Sequence, residues 1–447
     1  MTSNAQRSKH FANAAFGILD YVAYPLGLIV IAPVVLRHLG VAQYGVWTVA
    51  TAAVSLGSII ASGFGDANIQ HVATERTVGD ERSLVRAVRS AMGIHLVLGL
   101  VIGTGAYLVA PVIARRVTSA SAELEMSCAL CLRVAGFLML VRAIESVCIS
   151  TQRAFERYGH AVRISVLVRL LSLALAALLS ALNHGVVLIM AATAGLMALG
   201  ACAQIVELKD LLHARTLAPS FDGPASKTLV QFGIFSWLLA VSGVVFSQAD
   251  RLIGGTSLGA AAVAAYALCT QLAQPIYGIA ASGLHFLFPY LAGRRVSASV
   301  AVLRRAVLTA FAVNLALVLV GTLVLLLWGG PIIRIWVGEN IAAESATIFP
   351  VVVLSSAALG LSVTGSYSML ALGRVKAVAW LNVCGGATML FLIAELLSRY
   401  GMGAIAAGRL VYGMITLLIY VPLAQVLRPG AERLTAISIS TQAAEEA

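Results

Sequence analysis

The chain has 447 residues, 60% of them hydrophobic and only 11% charged, with a mean hydropathy of +0.93, whereas a soluble domain carries about 25% charged residues. This composition excludes a soluble enzyme and predicts an all-α polytopic membrane protein, because a bilayer is crossed by apolar helices of about 20 residues or by a closed barrel of short alternating strands. The formal charge of +11 does not imply a nucleic-acid partner, since the Lys and Arg residues sit in short loops and form no continuous patch with aromatics.

The first ten residues, MTSNAQRSKH, are polar and basic. The apolar run behind them is too long for a signal-peptide core and lacks a small-residue cleavage site, so it reads as a retained first span. Apolar windows then predict twelve spans, at 12–36, 43–65, 87–110, 127–150, 163–182, 186–206, 229–249, 259–283, 306–328, 347–372, 377–397 and 401–424. Counted over alternate loops, twenty Lys and Arg residues fall on one side and six on the other, with four more inside spans. The positive-inside rule therefore puts both termini in the cytoplasm. The six cysteines, Cys128, Cys131, Cys148, Cys202, Cys269 and Cys384, fall almost wholly in apolar segments. Cys128 and Cys131 form a CxxC with no second pair and no nearby His cluster, so they read as packing residues and no metal is implied.

The chain repeats itself. A shift of 219 residues aligns Leu39 with Leu258, Gly40 with Gly259, Thr51 with Thr270, Arg76 with Arg295 and Arg86 with Arg305, among others, without a gap. The shift maps the second span onto the eighth and the third onto the ninth, so the two copies run in the same direction. Such a parallel repeat predicts two six-helix lobes, residues 1–206 and 229–427, around a central cleft. A cytoplasmic linker at 207–228 and a cytoplasmic tail at 428–447 complete the division.

Polar residues interrupt the spans in a pattern. On the second span Tyr44, Thr48, Thr51, Ser55, Ser58, Ser62 and Asp66 recur at three- and four-residue spacing and share one helix face. The eighth span repeats this with Thr270, Gln274, Tyr277 and His285. Small hydroxyl residues of this kind either bond back to their own helix and allow close packing, or line a wet cleft. Charges inside spans carry more information. Arg142 and Glu145, three apart, can pair on one face; Arg169 and Arg409 lie too deep to reach the surface easily. Arg133 either snorkels to the outer surface or lines a cavity. Asp20 lies within the first span, Asp66 closes the second, and Asp250 with Arg251 closes the seventh, either as an interfacial ion pair or as a coupling or gating site.

The chain has no GxxxxGK[ST] phosphate loop, HExxH, GxSxG or metal-spaced aspartates, and its predicted external loops are short. Nothing here suggests a cofactor or an enzyme. The segments HLGVAQYGVWTVATAAVSLGSIIASGFGDANIQHVA at 38–73 and QADRLIGGTSLGAAAVAAYALCTQLAQPIYGIAASGLHFLFPYLA at 248–292 resemble polysaccharide flippases of the multidrug/oligosaccharidyl-lipid/polysaccharide transporter superfamily. The resemblance covers most of the chain. It implies an inner-membrane protein of bacteria in which two lobes rock to carry an undecaprenyl-pyrophosphate-linked oligosaccharide to the periplasmic leaflet. Membrane lipids, and the machinery that polymerises the glycan, are the partners it implies. Arg142, Arg169, Arg409 and Arg133 would then meet the pyrophosphate, a group that arginine binds through paired hydrogen bonds. Thr51, Ser55, Gln274 and Tyr277 would contact sugar hydroxyls, and Asp20, Asp66, Glu145 and Asp250 would serve ion coupling or gating. Twelve spans also suit a cation-coupled multidrug exporter of the same superfamily, and a membrane enzyme of polysaccharide assembly is the reading from another class.

Overall fold

The structure is a computed structural model that describes residues 2–428 except 63, 79, 119–120, 156, 224–226, 228–229, 231–236, 238–247, 285–286, 293 and 295–298. Among the described residues the regular structure is helical, with no strand. In the first half run α1 (Thr2–Ser62), α2 (Gly65–Val78), α3 (Glu81–Val117), α4 (Ala122–Ala154), α5 (Tyr158–Ala181) and α6 (Val186–Leu211). After a helical stretch at 248–258 come α7 (Ala260–Gly283), α8 (Leu287–Ala292), α9 (Val300–Val337), α10 (Glu339–Ser345), α11 (Phe349–Ala371), α12 (Val375–Tyr400), α13 (Met402–Leu417) and α14 (Tyr420–Val426).

Nine of the described segments are long and apolar enough to cross a membrane. The first, Ala23–Ser58, covers parts of both the first and second predicted spans. They meet as two helices across a kink at Gly40, whose φ of 76° and ψ of 168° lie in a region essentially reserved for glycine. Predicted span 259–283 appears as α7, whereas 229–249 falls mostly outside the described residues. The stretch after Ser62 is not the expected loop. It forms α2, because Phe64, Asn68 and Val72, spaced by four, are all buried and make a helical stripe.

The internal repeat is visible in the backbone. Gly40 and Gly259 both have positive φ, 76° and 90°, and each precedes a striped helix. Helix α3 begins at Glu81 and α9 at Val300, again the same shift. His95 and Asn314, which correspond, are both fully buried polar residues.

The described helices gather into two compact units, Met1–Gln271 with Ile335–Glu344, and Leu272–Arg334 with Ser345–Ala447. In the first, α3 and α4 cross at two glycines. A Cβ on Gly103 would lie 2.5 Å from the Gly136 carbonyl oxygen, and one on Gly136 would lie 2.6 Å from that of Gly103. Lipid tails are as apolar as the helices, so close backbone approach and interhelical hydrogen bonds hold such a bundle together. Asn68 Nδ2 donates to Ser150 Oγ at 2.8 Å and Thr151 Oγ1 at 3.0 Å, joining α2 to α4. Gln152 Nε2 donates to Gln204 Oε1 at 2.7 Å, joining α4 to α6. In the second unit, Asn314 Nδ2 donates to Gly360 O at 2.9 Å and Thr364 Oγ1 at 3.0 Å, joining α9 to α11.

Candidate functional site

The first unit encloses a cavity of about 230 Å³ between α1, α4, α5 and α6. Its polar wall comprises Tyr24, Thr51, Ser55, Ser58, Arg142, Arg169, Ser172 and Thr193; Trp47, Leu138, Leu173, Met190 and Met197 form most of the apolar remainder. The α1 stripe faces it because the three- and four-residue spacing keeps Thr51, Ser55 and Ser58 on one side of the helix. These hydroxyls also bond backwards: Thr51 Oγ1 donates to Trp47 O at 2.9 Å, and Ser55 Oγ to Thr51 O at 2.9 Å. Local bonding and cavity lining therefore coexist in the same residues. Among the described residues no hydrogen-bond partner reaches the buried Ser58 Oγ.

Arg142 projects from α4 with its side chain 26% exposed, and its Nη1 donates to Glu145 Oε2 at 2.7 Å, while Glu145 is only 9% exposed. The pairing expected at three-residue spacing is thus formed. Arg169 reaches the same cavity from α5, and the Tyr24 hydroxyl lies within electrostatic range of Arg169, Arg142 and Arg251. Glu145 is the carboxylate that Arg142 meets, and guanidiniums bind phosphate through paired charge-assisted hydrogen bonds.

Other predicted residues lie elsewhere. Arg133 stacks over the Tyr107 ring at 4.9 Å and does not line this cavity. Asp250 is fully buried; it accepts hydrogen bonds from the Arg251 backbone N–H at 2.8 Å and from the Tyr266 hydroxyl, while the Arg251 Nη2 donates to Thr270 Oγ1 at 3.1 Å. In the second unit, Gln274 is exposed and Tyr277 half-buried on α7. The Tyr412 hydroxyl lies within electrostatic range of both Tyr277 and Arg409 and donates to Asn382 Oδ1 at 2.8 Å. The side chains of Asp20 and Asp66, and residue His285, lie outside the described residues. Among those described, no group of His, Cys, Asp and Glu is placed to hold a metal.

Sequence reasoning did not select Tyr24, Ser172 or Thr193 as cavity residues. Ser172 had a usable signal, standing three residues after Arg169 and hence on the same face of α5.

The described residues thus form an all-α bundle with a repeated pattern in its two halves and a polar stripe on α1 that lines an arginine-bearing cavity. The chain belongs to the polysaccharide biosynthesis protein family, whose sequence model matches residues 14–293. No curated protein matches it in sequence. Among solved structures, an inward-facing multidrug resistance MATE family transporter of the MOP superfamily aligns with TM-score 0.69 and 17% identity, covering 90% of this chain and 98% of that one. The lipid II flippase MurJ in an inward closed conformation aligns with TM-score 0.72 and 13% identity, covering 92% and 87%. A MATE transporter from Vibrio cholerae aligns with TM-score 0.57 and 16% identity, covering 96% and 98%. These likenesses give the fold. Family and fold together make this a multi-pass membrane protein of the polysaccharide biosynthesis family with the helical fold that these transporters and flippase share.

Proposed function

We propose that the protein flips undecaprenyl-pyrophosphate-linked oligosaccharide repeat units from the cytoplasmic to the periplasmic leaflet by alternating access, for assembly of a cell-surface polysaccharide. The observation that carries this reading is the convergence of Arg142 and Arg169 on one hydroxyl-lined cavity. A pyrophosphate must shed water to cross the low-dielectric layer, and paired guanidiniums replace that hydration with charge-assisted hydrogen bonds. Thr51, Ser55 and Ser172 supply hydroxyls for sugars. Arg409 with Tyr277, and Gln274 on the same helix, would serve the substrate from the second half.

In this reading the lobes are residues 1–206 and 229–427 joined by the linker 207–228, the protein lies in the bacterial inner membrane, and both termini and the tail 428–447 are cytoplasmic. Asp20, Asp66 and Glu145 are the carboxylates available for ion coupling or gating, Asp250 holds one end shut, and the glycan-polymerising machinery takes the product. The test is complementation of a deletion strain. Arg142→Ala with Arg169→Ala should abolish surface glycan while the protein remains in the membrane at normal level. Normal glycan with lost resistance to cationic drugs would instead identify a multidrug exporter.

A further inference from the structure

A second cavity, a groove of about 570 Å³, lies between α7, α8 and α9, and all its lining residues belong to the second compact unit. Its volume is that of a small-molecule site, about 300–1,000 Å³. Leu284, Leu287, Val313 and Leu317 form most of its apolar body, and Tyr290 and Arg305 line it as well. Arg305 stands in the second turn of α9. Arg294, in the link from α8 to α9, holds its guanidinium 4.0 Å from the centre of the Tyr290 ring. Both arginines therefore belong to the end at which α9 begins.

The internal repeat shows why this groove is open. In the first half the matching place is filled by the chain itself. Phe64 is buried and stacks on Trp237 with ring centroids 6.0 Å apart. The segment from Ala218 to Asp222 straps the adjoining face of α3: the Ser220 N–H donates to Arg89 O at 3.1 Å, Arg89 Nε to Ala218 O at 2.8 Å, and the Asp222 N–H to Ser90 Oγ at 3.2 Å. Gly93 admits the strap, since a Cβ there would lie 2.5 Å from Ser220 O.

The 219-residue shift takes Phe64 to Gly283, Arg89 to Leu308, Ser90 to Thr309 and Gly93 to Ala312. The filler is gone, because a Cβ on Gly283 would meet nothing within 4 Å. So are the donor and the room that a polypeptide strap uses, and Thr309 is exposed where Ser90 is buried. What remains is an apolar trough with arginines at one end.

We propose that this groove binds an anionic phospholipid, with an acyl chain along α7 and α9 and the phosphate on Arg305 and Arg294. The chain matches the apolar body, and guanidiniums hold phosphate through charge-assisted hydrogen bonds. The loop charges put this end of α9 at the cytoplasmic face, where basic pockets between helices recognise such headgroups. The site is independent of the proposed glycan passage and does not rest on it.

The experiment uses the full-length protein, delipidated in detergent, with phosphatidylglycerol as probe and phosphatidylethanolamine of the same acyl chains as zwitterionic control. The exposed Cys202 and Cys384 are replaced by serine, and Thr309→Cys reports the groove through its reaction with N-ethylmaleimide. Phosphatidylglycerol should slow that reaction and raise Tm, and phosphatidylethanolamine should do so only at higher concentration. Arg305→Gln should weaken phosphatidylglycerol binding about tenfold, the scale of one hydrogen bond to a charged group. Arg86→Gln, which changes the matching arginine of the filled first half, should leave it unchanged. Gly283→Phe should block the groove as Phe64 blocks its counterpart and abolish the lipid effect; Arg305→Gln covers the case in which that variant fails to fold. Equal action of the two lipids, or equal losses in Arg86→Gln and Arg305→Gln, would mean general surface charge and overturns the proposal. A Thr309→Cys thiol that is unreactive before lipid is added assigns the groove to a segment of this chain, and better protection by undecaprenyl phosphate than by phosphatidylglycerol assigns it to a polyprenyl lipid; either result overturns it as well.

Discussion

Gly40 and Gly259, 219 positions apart, both hold positive φ where a polar-striped helix begins. At Gly40 this is what lets α1 run from the first predicted span into the second through a kink. No atom lies within 4 Å of a Cβ built there, so backbone conformation alone requires the glycine.

Gly40→Ala should therefore destabilise the protein without any steric clash, by roughly 1–3 kcal/mol. The check is thermal unfolding in detergent, with Gly105→Ala as comparison. Gly105 lies in mid-helix with open space around it, where alanine is favoured over glycine by roughly 0.5–1 kcal/mol. A lowered Tm for the first variant and an equal or raised Tm for the second are expected. Equal values for both would remove the conformational argument.

At the α3–α4 crossing the constraint is contact, not φ. Gly136→Ala sets a methyl 2.6 Å from the Gly103 carbonyl oxygen, so the helices must separate and give up their closest packing. Gly195→Ala, where nothing lies within 4 Å, should be tolerated. Size-exclusion profiles and unfolding temperatures of the two purified variants decide this; an unaffected Gly136→Ala protein would show that the crossing yields readily.

Much of the fold was legible in the sequence because its signals are local. Hydropathy marks a span without knowledge of its neighbours, and the 219-residue shift that aligned Gly40 with Gly259 reappears as matched φ angles and matched starts of α3 and α9. The Arg142–Glu145 pair was legible for the same reason, since three-residue spacing fixes it within one helix. What escaped depends on how helices rotate against each other. By sequence Arg251 stood beside Asp250 at the end of a span, either in an ion pair or at a coupling or gating site; its bond to Thr270 and the bond of Tyr266 to the Asp250 carboxylate depend on how the helices meet. Helix α2 was missed because its mean polarity reads as loop, although Phe64, Asn68 and Val72 already carried the four-residue period.

Thiol chemistry offers an independent check on the bundle. Cys128, Cys131, Cys148 and Cys269 are buried and Cys202 and Cys384 exposed. A water-soluble maleimide should modify only the last two in the folded, detergent-solubilised protein and all six after denaturation, as counted by intact mass. Rapid reaction at Cys128 and Cys131 would show that this CxxC is accessible and reopen a redox role for it.

The Arg142–Glu145 pair makes opposite predictions for stability and for binding. Breaking a fully buried ion pair by removing one partner costs about 3–5 kcal/mol. Here Arg142 is 26% exposed, so water reaches the orphaned guanidinium, and the loss in Glu145→Gln should fall below that range. The same substitution removes the carboxylate that competes with a bound anion for Arg142. Glu145→Gln should therefore unfold at lower temperature yet bind farnesyl pyrophosphate more tightly, with affinity falling more steeply as salt is added, because one more uncompensated charge contributes. Arg142→Gln should lose affinity and flatten the salt dependence. Calorimetric titrations at two ionic strengths separate these outcomes. Weaker binding by Glu145→Gln would mean that Glu145 orients Arg142 toward the ligand instead of holding it back.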